Sequence, residues 1–135
     1  MKNKSAVYEF DPVVYPFKIW VVVGKNPEII TEEFKEYKGT EILNIATDVS
    51  RLRAFSMMVC KKCPEYFGAV IFFRSKTHMT YELVAHESSH AAKYLFEHVG
   101  ADMKEHEPFE YVIGWIAGCI EGVKKGKGNI LSRSI

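Results

Sequence analysis

The stretch YELVAHESSHAAKYLFEHVG, Tyr81 to Gly100, decides how this chain is read. Leu83, Val84, Ala91, Leu95 and Phe96 give it the apolar face of an amphipathic helix. Thr77 or Thr80 offers an N-cap, and Gly100 a C-terminal stop. Inside that helix stand His86, Glu87 and His90. Histidine is a poorer helix former than alanine, leucine or lysine, so two of them one turn apart ask for a reason beyond helix formation. All five histidines of the chain fall between His78 and His106, and that clustering is the main compositional signal.

Residues four apart on a helix return to within about 40° of alignment, so both imidazoles project from one face. Two nitrogens so placed suit one zinc ion at about 2.0–2.1 Å. Glu87 lies about 100° further round, where it flanks the metal and can take a proton from a zinc-bound water. Ser88 and Ser89 are small and leave room beside the site. A third ligand must come from elsewhere. Lys93 and Phe96 stand where a metzincin needs glycine and histidine, which excludes that class.

The next segment, EHEPFEYVIGWIAG, sets Glu107, Glu110, Tyr111, Gly114, Trp115 and Gly118 on one helical stripe. An antiparallel pair of helices would turn a carboxylate from its start toward the histidines, Glu107 by preference and Glu110 as the alternative. Gly114 and Gly118 would let the two backbones close up. Tyr111 or His106 would donate a hydrogen bond to a developing oxyanion. Tyr111 and Trp115 also read as plain core residues, and His78, His98 and His106 as surface or loop positions.

VAHESSHAAKYLFEHVG followed by EPFEYVIGWIAG resembles a group of small, compact zincin-like metallopeptidases, many carried by phages and prophages. The resemblance spans about Tyr66 to Gly122. It implies zinc on His86, His90 and Glu107, with Glu87 as general base. In place of Glu110 the group's pattern has a small residue. In small zincins an edge strand beside the active-site helix holds a peptide substrate by strand addition. FGAVIFF, Phe67 to Phe73, is the strand that directly precedes the helix here.

Outward from that core, the spacing predicts strands in VVYPFKIWVVVG and in PEYFGAVIFF. NPEIITEEFKEYKG reads as a short helix opened by Asn26 and Pro27 and closed at Gly39. EILNIA suits a strand. From Asp48 to about Lys62 the apolar residues Val49, Leu52, Phe55, Met58 and Val59 recur at helical spacing. Pro108 opens a last helix, and a Gly-rich basic tail from about residue 124 reads as mobile. The fold expected is a single α+β domain over residues 1–135: a compact, minimal zincin-like unit with a small N-terminal sheet, the histidine helix and one more helix.

The chain has 135 residues, 47% of them hydrophobic, and a net charge of +1. That balance points to neither a nucleic-acid nor a membrane partner, and no apolar run is long enough to span a bilayer. Three cysteines suit a reducing cytoplasm. Cys60 and Cys63 form a lone C-x-x-C and read as ordinary thiols. The function expected is a zinc-dependent hydrolase acting on a peptide or protein substrate. The alternative is a non-catalytic, zinc-stabilised partner-binding module.

Overall fold

The computed structural model describes residues 5–42 and 52–133. Six strands form one mixed sheet: β1 (Ser5–Phe10), β2 (Lys18–Gly24), β3 (Phe34–Glu36), β4 (Ala54–Lys62), β5 (Glu65–Phe73) and β6 (Asn129–Arg133). Their order is β3-β4-β5-β2-β1-β6. Only β2 and β5 pair in parallel; the other neighbours are antiparallel. The helices are α1 (Glu28–Glu33), α2 (Tyr81–Val99) and α3 (His106–Lys124). The class is α+β, as expected from the sequence.

Side chains alternate across the sheet and fill two separate cores. Ile19, Val21, Ala69, Ile71 and Phe73 meet the apolar faces of α2 and α3. Trp20, Val22, Val70 and Phe72 point the other way and pack on Ile29 and Ile30 of α1 and on Phe34 and Ile42. The central strands are therefore buried on both faces, which is why Ala69 to Phe73 is one unbroken apolar run. Gly68 in β5 faces the carbonyl of Lys18 and the Trp20 ring, where a side chain has no room.

Three expectations are corrected. The helical spacing through Phe55, Met58 and Val59 belongs to strand β4. Phe55, Met57 and Val59 face the α1 core, while Ala54 and Met58 face the α2 core. Apolar residues on both faces erase the two-residue period, and what remains imitates a helix. The segment after Asn26 is helical only to Glu33, because Phe34–Glu36 pairs with β4. The tail expected to be mobile forms β6 on the outer side of β1. β1 itself carried no reading as a strand. The proposed strand EILNIA lies outside the described residues from residue 43 onward.

Of the two long helices α2 behaves as its ends predict, whereas α3 begins at His106, two residues before Pro108, without a side-chain cap. Thr80 caps α2, its hydroxyl accepting from the Leu83 amide, and Gly100 ends it in the left-handed conformation at φ 71°. Among the described residues no helix is long and apolar enough to cross a membrane.

Candidate functional site

His86 and His90 lie on the side of α2 turned away from its buried stripe of Ser88, Ala91, Ala92 and Leu95. Their rings meet edge to face, with centroids 4.6 Å apart. Their Nε2 atoms are 3.2 Å apart. Two nitrogens held at about 2.0–2.1 Å on one tetrahedral ion are separated by about 3.3 Å, so the pair has the spacing of two ligands of one zinc.

Glu87 turns toward the sheet and is only 4% exposed. Its Oε1 accepts a hydrogen bond of 2.6 Å from Ser56 Oγ, near the start of β4. A buried carboxylate without such a donor would be costly. Tyr94, one turn beyond His90, lies nearly parallel to that imidazole at 6.4 Å between centroids. Burial first, then the negative charges of Glu87 and Glu97, push the Tyr94 phenol above its usual range. It therefore stays protonated at neutral pH and can donate.

The expected third ligand does not join this group. α2 and α3 form an antiparallel hairpin whose pairing is set at both ends. Phe96 meets Phe109 at 5.3 Å between ring centroids, and Lys124 Nζ lies 6.0 Å over the Tyr81 ring. Interpolating between those contacts puts His90 level with Trp115 and His86 level with Cys119. Glu107 is then about 12 Å, and Glu110 about 7.5 Å, along the axis from the level of His90, at about 1.5 Å per residue. The separation of the two helix axes adds to both. A short connection forces this outcome: the start of α3 stands beside the end of α2, whereas the histidines sit roughly two and a half to three and a half turns earlier. Among the described residues, no three His, Cys, Asp or Glu side chains converge as a metal-binding group.

Other assignments also shift. Tyr111 is 74% exposed and, with Trp115, lines a groove against the β1–β2 loop, so neither is a core residue. His106 is exposed at the start of α3. Gly114 and Gly118 face open space and draw no backbone close. His98 is half-buried, its Nδ1 2.6 Å from the Tyr37 hydroxyl and its ring within 5.2 Å of Phe17 and Phe67. The strand FGAVIFF lies inside the sheet, between β4 and β2, and so has no free edge for a substrate. Cys60 and Cys119 are buried and Cys63 is exposed; all three are free thiols.

Sequence reasoning passed over Ser56 and Tyr94. Tyr94 was within reach, since it stands four residues after His90 on the same helix. Ser56 was not, because its role depends on which face of β4 meets α2. No family model, curated protein or solved structure matches the chain.

Proposed function

We propose that this chain is a zinc-dependent hydrolase that cleaves peptide bonds, with His86 and His90 as ligands and Glu87 as general base. The observation that carries the reading is the 3.2 Å separation of the two Nε2 atoms on the helix that also carries the buried carboxylate of Glu87. A zinc ion bound there would supply Lewis acidity and an acidified water. Glu87 accepts a proton from the attacking water and passes it to the leaving nitrogen. Ser56 holds the carboxylate in place for both transfers. Tyr94, rather than Tyr111, donates to the oxygen that gains charge. Glu107 and Glu110 are left out of this assignment, since no third His, Cys, Asp or Glu converges with the pair among the described residues.

The alternative, a structural zinc that ties helices together, finds less support. Both histidines come from one helix. Cys119, level with His86 on α3, is buried, and that burial pushes its thiol up to about 12, so it is not a ready ligand. The three free thiols suit a reducing cytoplasm as the place of action.

Calorimetric titration with zinc tests the reading. One ion per chain is expected, with binding lost in His86→Ala and His90→Ala and kept in Glu107→Gln and Glu110→Gln. Glu87→Gln should bind zinc and no longer hydrolyse an unfolded protein substrate such as casein. A wild-type chain that takes up no zinc, or a Glu87→Gln variant that still turns over, would overturn it.

A further inference from the structure

A second site lies on the other flank of α3. Phe109 faces α2, and Tyr111 is two residues, about 200°, further round the helix. There α3 and the β1–β2 loop enclose a groove of about 280 Å³ lined by Pro12, Val14, Tyr15, Tyr111 and Trp115, with Val112 among its walls. No histidine lines it.

The loop is built to present apolar groups. Asp11 Oδ1 accepts from the Val13 amide, and the Val14 amide donates back to the Pro12 carbonyl, both at 2.7 Å. That tight turn holds Val13 at φ 67°, an unfavourable conformation for a β-branched residue. Val13 and Val14 emerge 85% and 82% exposed. Across the groove stand Tyr111 and Trp115, residue types that dominate binding energy at interfaces.

The charge around the groove has one prevailing sign. Asp11 precedes Pro12, Glu107 precedes Pro108 and Glu110 precedes Tyr111; all three acids are exposed. Glu105 adds a fourth at the start of α3, beside Lys104, and Lys127 precedes Gly128, which packs on Phe10 at the start of the β1–β2 loop. An apolar floor with an acidic rim suits an apolar or aromatic anchor flanked by cations. We infer that this groove binds an extended peptide segment, in a substrate or a partner protein, that carries an aliphatic or aromatic anchor between lysines or arginines. The inference is independent of zinc and of the hydrolase reading.

Nuclear magnetic resonance on the full ¹⁵N-labelled chain tests it, run with and without EDTA. The probes are the peptide acetyl-Gly-Lys-Leu-Phe-Lys-Gly-amide and its counterpart with glutamate in place of lysine. The lysine peptide should shift the Trp115 indole signal and leave that of Trp20, which is buried and bonded to Glu9, in place. It should bind at least about tenfold more tightly than the glutamate peptide at low salt, with the gap closing as salt rises. Trp115→Ala should abolish the binding while keeping a folded amide spectrum, and Glu107→Lys should narrow the gap. Equal affinity for the two peptides, shifts that miss Trp115, or no binding of either peptide would overturn the inference. So would indole shifts that follow protein concentration without peptide, because a second copy of the chain would then be the occupant.

Discussion

Ser56 Oγ donates to Glu87 Oε1 at 2.6 Å and so ties the first part of β4 to the helix that carries the histidine pair. The acceptor is a buried carboxylate, and removing its donor leaves a desolvated group without its partner. Ser56→Ala should cost about 1–3 kcal/mol of stability, read from urea denaturation at neutral pH. Hydrolysis should fall in the same variant while zinc affinity holds. An unchanged midpoint and unchanged turnover would mean the hydroxyl does nothing for Glu87.

Gly68 sets how closely β2 and β5 can run. A Cβ there would stand 2.2 Å from the Lys18 carbonyl oxygen and 2.4 Å from the Trp20 ring. Neither neighbour can swing away, since one is backbone and the other is fully buried. Gly68→Ala should cost about 3 kcal/mol and lower the melting temperature by about 10 °C. A melt within a degree or two of wild type would show that the strands part easily.

Ser88 lies on the face of α2 opposite the histidines and is fully buried, and among the described residues its hydroxyl has no hydrogen-bond partner. Alanine removes that desolvated group and is also the best helix former. Ser88→Ala should raise stability by about 1 kcal/mol, or about 3 °C in a thermal melt. A loss of stability instead would mean that the hydroxyl has an important partner in solution.

The thiols should separate by reactivity. At about pH 8 a disulfide reagent should label exposed Cys63 first, with Cys60 and Cys119 following only on unfolding. Peptide mass spectrometry identifies the labelled residue, and rapid modification of Cys119 would contradict its burial. The same thiol gives a pH dependence. Burial raises Cys119 to about 12 in the folded chain, against an ordinary 9.0. Its contribution to stability is therefore complete below 9.0 and is lost as pH rises from there toward about 12. Urea midpoints should fall less over that window in Cys119→Val than in the wild-type chain.

Local signals carried α2 well. Thr80, Gly100 and the apolar stripe of α2 act within a turn or two of themselves, and each does what the residue type favours. PEYFGAVIFF was legible for a similar reason, because burial on both faces leaves a run of apolar residues that loops do not carry. β4 has the same cause but the opposite outcome. Its apolar residues are interrupted by Ser56 and end in lysines, so their spacing matched a helix until β3 and β5 were seen on either side. The strand β6 depends on β1 offering an edge, and nothing within Asn129–Arg133 announces that.

The sequence by itself determined the histidine pair. Two imidazoles one helical turn apart must share a face, whatever surrounds the helix, because the helical repeat is set by the backbone. Only the tertiary structure decided what stands beside them. The pairing of α2 with α3 depends on the length of the turn between them and on which side chains interlock, and that pairing carries Glu107 and Glu110 past the pair while β4 delivers Ser56 to Glu87. Contacts between residues distant along the chain are fixed by packing, which has no signature in local spacing.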